Sequence, residues 1–160
     1  MPDTTEIEVK EHAIQFFADD IDFELNEPEA VRAWIEATIV EEKKRLSFIN
    51  YIFCDDEYLL QINIEHLQHD FYTDIITFPY SATAVESDVF VSIDRVRDNA
   101  QNLNIAFIEE LHRVLIHGVL HLCGHKDESD EDETAMRQKE NYYLQKRTGM
   151  ILDNENRSPI

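Results

Sequence analysis

Apolar and polar residues recur along the chain with two periods, which separate predicted strands from predicted helices. Short runs rich in β-branched and aromatic residues predict strands at residues 7–9, 13–17, 49–54, 75–78 and 88–93. Apolar residues spaced by three and four predict helices between the later strands and three helices in succession after the last one. This order predicts an α+β fold, in which helices pack on a small mixed sheet of about four strands.

The first predicted helix begins near Pro28, with Asn26 as its N-cap. The basic residues 43–45 are predicted to close it, since positive charge is favoured at a helix C-terminus. Its apolar stripe is predicted to include Val31, Trp34, Ile35, Thr38, Ile39 and Leu46.

One apolar stretch, residues 107–122, carries the most distinctive pattern in the chain. Its apolar spacing predicts a helix with one face against the core. His117 and His121 are four positions apart, so they are neighbours on one face of that helix. Two imidazoles placed in this way can bind one metal ion. The pattern therefore predicts a metal site on a central apolar helix and the turn that follows it.

The residues after His121 favour a metal site over two core histidines that only hydrogen-bond to the backbone. Gly124 favours a left-handed helix end, which lets the chain return a third ligand to the ion. Asp127 and His125 are the two candidates for this ligand. The resulting pattern, H-x-x-x-H-x-x-G-x-x-D, resembles the metalloprotease motif H-E-x-x-H-x-x-G-x-x-H. Gly118 stands where that motif has its catalytic glutamate.

The length and the charge of the chain limit the classes of protein to which it can belong. The 160 residues predict a single domain, 1–160, with a core over about 4–148 and a frayed tail at 149–160. The 34 acidic and 14 basic residues give a net charge of −20, which repels nucleic acid at long range. Two widely separated cysteines and the lack of a secretory or membrane-length apolar segment lead us to expect a cytoplasmic protein.

Two segments together match a known family. One reads H-G-V-L-H-L-C-G over residues 117–124, and the other reads D-F-Y-T-D-I-I-T-F-P over residues 70–79. They resemble the motifs H-G-x-L-H-L-x-G-Y-D-H and D-x-P-T-D-V-L-S-F-P of the YbeY family of metal-dependent endoribonucleases, which act on ribosomal RNA. Met136 also falls where that family has a methionine, and Asp88-Val89-Phe90 is similar to its G-D-I strand. The resemblance covers roughly residues 30–147.

The resemblance also identifies departures from the family pattern. The family's third metal ligand is a histidine, and the same position here is Asp127, with His125 two residues before it. The family's phosphate-handling arginine falls on Leu67, which cannot bind phosphate. Nearby His66 and His69 offer a partial substitute, although exposed histidines without a special role are the simpler interpretation.

The sequence therefore predicts a zinc-dependent endoribonuclease of rRNA maturation and ribosome biogenesis, with the metal held by His117, His121 and Asp127. Other divalent metals also fit, since iron(II) uses two histidines and a carboxylate. No side chain is identifiable as a general base, so the catalytic residues stay unknown and the expected catalytic group is a water molecule on the metal. The expected partners are RNA and ribosomal proteins, with no membrane and no nucleotide cofactor.

Two other functions are compatible with the same residues. A non-catalytic ribosome-associated maturation factor with a structural metal would suit the strong acidity and Leu67. A metalloprotease is disfavoured by Gly118. Because Leu67 leaves the transition state short of one cation, we expect weak nuclease activity.

Overall fold

The computed structural model describes residues 12–150 and residue 152, and the elements of this part of the chain agree with the predicted α+β class. The predicted strand at residues 7–9 and most of the predicted tail at 149–160 lie outside the described residues. The described elements, in chain order, are β1 (Ile14–Ala18), α1 (Pro28–Glu41), β2 (Leu46–Cys54), α2 (Asp56–Leu67), β3 (Ile75–Pro79), β4 (Val85–Ser92), α3 (Ile93–Leu103), α4 (Phe107–Leu122) and α5 (Asp130–Gln145).

The four described strands form one mixed sheet with the order β1-β2-β4-β3. The central strand β2 is parallel to both β1 and β4, whereas β3 pairs with β4 in the antiparallel sense. Parallel neighbours need crossover connections, and α1 and α2 supply helical ones after β1 and β2. The antiparallel edge strand β3 is the strand that α4 approaches most closely, so it lies beside the predicted metal site.

Local capping explains where several helices begin. Asp55 accepts a hydrogen bond from the backbone N–H of Tyr58 at 2.8 Å, and Ser92 accepts one from Arg95 at 3.2 Å. Ser129 and Asp132 form a reciprocal capping box at the start of α5. Each cap satisfies a backbone donor that the first helical turn leaves unpaired.

The prediction for the end of α1 is wrong in two respects. The helix ends at Glu41, so the basic residues 43–45 lie beyond it, and Lys43 adopts a left-handed backbone with φ of 62°. Leu46 is not part of the helical stripe, because it starts β2 and pairs with Val85. At the other end, Glu27 occupies the N-cap position that was predicted for Asn26.

The central helix α4 has its apolar face buried against the sheet and the neighbouring helices. Five of its side chains are completely buried: Leu111, Leu115, Ile116, Val119 and Leu120. Burial of each such side chain contributes about 1.5–3 kcal/mol, so the orientation of α4 is strongly fixed. His117 and His121 lie on the other face of α4, so their positions are fixed by the same packing.

Gly118 lets α4 approach β3 closely. A Cβ atom built on Gly118 would lie 2.7 Å from Cδ1 of Ile75, which is far inside van der Waals contact. The missing side chain therefore has a packing reason in this fold. A glutamate at this position, as in the metalloprotease motif, would collide with β3.

The contact between Gly118 and Ile75 leads to a prediction about stability. Gly118→Ala gains about 1 kcal/mol of helix propensity, but crowding against Ile75 offsets the gain. We expect the substitution to leave the free energy of unfolding unchanged or lower in the wild-type background. In an Ile75→Val background, which removes the clashing methyl group, the same substitution should raise that free energy by about 1 kcal/mol.

Urea unfolding of the wild type, both single variants and the double variant measures this coupling. Effects that add to within about 0.3 kcal/mol would show that Gly118 is not constrained by Ile75.

Candidate metal centre

The two predicted histidine ligands lie side by side on the solvent-facing side of α4. The ring centroids of His117 and His121 are 4.5 Å apart, and the rings are nearly perpendicular at 83°. Their side chains are 24 % and 30 % exposed, so both rings are packed along one edge but reach the surface. This is the arrangement that the spacing of four on a helix predicts.

The turn after α4 returns Asp127 to the two histidines. The backbone N–H of His125 donates to the carbonyl of Leu120 at 3.0 Å, and Gly124 adopts a left-handed backbone with φ of 104°. One oxygen, Oδ2 of Asp127, then lies 3.1 Å from Nε2 of His121 and 3.3 Å from Nε2 of His117. One ligand atom from each of the three residues lies within 4.8 Å of the others.

These distances fit a divalent ion. Zinc–ligand bonds of about 2.0–2.1 Å in a tetrahedron place neighbouring ligand atoms about 3.3–3.4 Å apart. The two oxygen–nitrogen distances of 3.1 and 3.3 Å are close to this edge length. Imidazole nitrogen and carboxylate oxygen are also a donor set that zinc uses in proteins. The residues present therefore fit the group that the motif implies.

Glu140 holds His117 from the opposite side. Its Oε2 lies 2.6 Å from Nδ1 of His117. A carboxylate only accepts hydrogen bonds, so Nδ1 carries the proton and donates, and a neutral ring presents its Nε2 lone pair to Asp127. Nε2 of His117 and Oδ2 of Asp127 then face each other across 3.3 Å, an arrangement that either a proton or a metal ion between the two atoms would stabilise.

The electrostatic environment supports a charged Glu140. Burial raises the pKa of Glu140, but the hydrogen bonds from His117 and Arg113 outweigh it and lower the pKa overall. Burial alone would lower the pKa of His117. The hydrogen bond to Glu140 outweighs burial, so the net effect is a raised pKa. Arg113 donates to Oε1 of Glu140 at 2.8 Å and compensates this buried carboxylate.

His125, the alternative third ligand, points elsewhere. Its Nε2 donates to Oε1 of Glu42 at 2.7 Å, at the end of α1. Lys139 and Tyr143 of α5 also donate to Oε2 of the same carboxylate. His125 therefore ties the turn to α1 and α5, which leaves Asp127 facing His117 and His121.

A small polar cavity of about 190 Å³ adjoins the site behind His117. Asp74 and Glu110 line it, and burial raises the pKa of both carboxyl groups. Oε1 of Glu110 has no hydrogen-bond partner among the described residues. Glu110 and His117 therefore line the same cavity.

A larger cleft of about 730 Å³ opens in front of the three residues. His117, His121 and Asp127 line it, and so do Leu67, His69, Phe71 and Thr73. The predicted ligands are thus accessible from solvent along a groove. Leu67, at the position of the family's arginine, is 41 % exposed on this groove and brings no charge to it.

Glu140 and Glu42 were missed at the sequence level. A signal for Glu140 was present, since it falls on the same helical stripe as Met136, Tyr143 and Leu144, all of which are buried. A charged residue on a buried helical face needs a partner. Glu42 gives no such signal, because its partners are 83 to 101 residues away in the chain.

Comparisons with known proteins identify the family of the chain. The family model described as Endoribonuclease YbeY matches residues 13–148. The chain belongs to the YbeY family. The curated YbeY endoribonuclease of Flavobacterium johnsoniae is 53 % identical over 120 residues, which cover 74 % of this chain and 86 % of the relative. That of Cytophaga hutchinsonii is 47 % identical over 138 residues, which cover 85 % and 96 %.

A solved structure supports the same fold. The solution structure of TM1509 from Thermotoga maritima superposes with a TM-score of 0.61 at 25 % identity, covering 85 % of this chain and 89 % of that one. The predicted family and the α+β fold are confirmed, and membership of the YbeY endoribonucleases confirms the prediction of an RNA-cleaving hydrolase as the enzyme class. Among the described residues, no helix has the length and apolar character required to cross a membrane.

The contacts of Glu42 lead to a prediction about acid stability. Burial raises the pKa of Glu42, but hydrogen bonds from His125, Tyr143 and Lys139 outweigh it and lower the pKa to about 2 from an ordinary 4.5. Between these values the unfolded chain binds more protons than the folded one, so stability is lost as pH falls from about 4.5 towards 2. Glu42→Gln should be less stable at pH 7 and should lose less stability over this range.

Urea unfolding at pH 7, 4.5 and 3 measures the difference, which amounts to at most about 1.4 kcal/mol per pH unit. Glu65→Gln, which removes an exposed glutamate from α2, controls for the change in net charge. Parallel pH profiles for Glu42→Gln and the wild type would contradict the assigned role of Glu42.

Proposed function

We propose that this chain hydrolyses phosphodiester bonds of RNA with a single divalent ion held by His117, His121 and Asp127. Zinc is the proposed metal, because the donor set and the helix-plus-turn motif both suit it. The observation that supports the proposal best is the position of Oδ2 of Asp127, within 3.1 and 3.3 Å of the two Nε2 atoms. The proposed substrate is ribosomal RNA during its maturation, in the cytoplasm and in contact with ribosomal proteins.

The residues around the site have separable roles. Glu140 accepts the Nδ1 proton of His117 and so keeps Nε2 as the donor towards the ion. Arg113 keeps Glu140 ionised. Glu42 and His125 hold the turn that presents Asp127. When bound, the ion supplies Lewis-acid polarisation of the scissile phosphodiester.

The open cleft favours hydrolysis over a purely structural metal. Asp127 is 38 % exposed, and the two histidines face the same groove, so the ion would be reachable by a substrate. Structural zinc sites are usually closed by four protein ligands. A metalloprotease is disfavoured further, because the chain lacks the glutamate of that motif at Gly118 and a side chain there would have to displace the tip of Ile75.

Alanine substitutions test the proposed ligand set. His117→Ala, His121→Ala and Asp127→Ala should each weaken zinc binding by more than about 100-fold and abolish RNA cleavage. His125→Ala should weaken zinc binding and activity much less, because it removes the hydrogen bond that supports the turn and not a ligand. Elemental analysis, a competitive zinc chelator and cleavage of an unstructured RNA measure the three quantities. Loss of zinc only in His125→Ala would overturn the assignment of Asp127.

The uncharged Leu67 leads to a prediction about rate. Because Leu67 lies on the cleft without a charge, Leu67→Arg adds the cation that the transition state lacks. We expect kcat/KM for RNA cleavage to rise about tenfold or more. Leu103→Arg, on an exposed residue at the end of α3, is the control for added positive charge. An equal rise in both variants would show that the effect is long-range attraction and not local stabilisation.

A further inference from the structure

The cleft that His117 and His121 line also contains two stacked aromatic rings. The rings of His69 and Phe71 have centroids 5.1 Å apart and are inclined by only 18°. Both residues line the 730 Å³ cleft together with the proposed ligands. The side chain of Phe71 is 56 % exposed, so much of its surface is left uncovered. A phenylalanine in this position contributes little to the core.

The backbone that carries these rings is fixed by a buried side chain. Asn63 is only 2 % exposed, and its Nδ2 donates to the carbonyl of Phe71 at 2.9 Å. The backbone N–H of His69 donates to the carbonyl of Asn63 at 3.1 Å. A buried amide thus stabilises a segment whose apolar ring points out of the core. This pre-organisation lowers the entropy that a ligand would lose when it orders the segment.

The charge of the cleft excludes the usual way of binding RNA. No lysine or arginine occurs among the described residues that line it, and the whole chain carries a net charge of −20. Arg113 and Arg137 line the neighbouring small cavity, where Asp74, Glu110 and Glu140 face them. Affinity for RNA therefore has to come largely from the bases. Every base has a flat face that can stack on an aromatic ring.

We propose that Phe71, backed by His69, is a stacking platform for one unpaired nucleobase of the RNA whose backbone lies at His117, His121 and Asp127. The proposal rests on the function proposed above and adds the recognition element of the same cleft. Stacking requires a base that is free of its neighbours, so the platform selects unpaired segments over duplex RNA. Phe71 acts on substrate binding and leaves the metal ligands untouched.

Binding of a short unstructured oligoribonucleotide that contains 2-aminopurine tests the platform, because stacking quenches this fluorescent base. In stopped-flow titrations of the zinc-loaded protein, Phe71→Ala should raise Kd about 5- to 100-fold and abolish the quenching. Phe71→Trp should retain both, whereas Phe71→Leu, which keeps apolar surface without a ring, should lose the quenching. Phe17→Ala is the matched control, since Phe17 is 48 % exposed on β1 and does not line the cleft.

The outcomes separate the platform from the proposed function. If the wild type binds the oligoribonucleotide and quenches its fluorescence but cleaves no RNA, the nuclease function is refuted and the platform is supported. Cleavage with the same KM in Phe71→Ala and the wild type would support the nuclease and refute the platform. A change of oligomeric state in Phe71→Ala, without a change in Kd, would identify the surface as a contact between copies and also refute it.

The salt dependence of binding gives an independent readout. For a single-stranded ligand, the logarithm of the binding constant falls with the logarithm of the salt concentration. The slope is about −0.7 for each phosphate that the protein neutralises. With stacking dominant, the slope for the wild type should be no steeper than about −1. A slope near −3 would mean that several phosphates are neutralised and would contradict base stacking as the main source of affinity.

Discussion

The reversal of the chain after α4 is the constraint on which the proposed metal triad depends. His117 and His121 are adjacent simply because they share a helical face, but an oxygen ligand reaches them only if the helix stops. The left-handed backbone of Gly124 ends it, and the hydrogen bond from His125 to Glu42 fixes the direction of the next residues. His125, which binds elsewhere in the fold, thus leaves Asp127 as the residue of the turn that faces His117 and His121.

Two largely buried carboxylates, Glu140 and Glu42, organise the surroundings of the site, and each is compensated in a different way. Glu140 pairs with Arg113 and His117, and Glu42 pairs with Lys139 and His125. Unpaired buried charge would be very costly, so these networks specify one arrangement of α1, α4 and α5. Among the described residues, none that lines the cleft in front of the site is a lysine or an arginine. A polyanionic substrate would therefore meet a cleft whose proposed contacts are a metal ion and an aromatic ring.

The spacing of residues along the sequence was sufficient to predict those elements that depend only on residues close in sequence. The spacing of His117 and His121, the helix end at Gly124 and most strands follow from short-range rules, and the structure has them as expected. The end of α1 was mispredicted because Leu46 happens to continue the apolar spacing of the helix. In the structure Leu46 belongs to β2, where it pairs with Val85. Strand order and the partners of Glu42 and Glu140 join residues far apart in sequence, which periodicity does not encode.

The number of imidazoles bound to the ion tests the triad most directly. X-ray absorption spectroscopy of the zinc-loaded protein distinguishes imidazole from carboxylate ligands through the outer-shell scattering of the imidazole ring. Two imidazoles per ion, with the remaining ligands oxygen at about 2.0 Å, are expected if His117, His121 and Asp127 hold it. Three imidazoles per ion would show that His125 has left Glu42 and displaced Asp127, and the role assigned to the turn after α4 would be wrong.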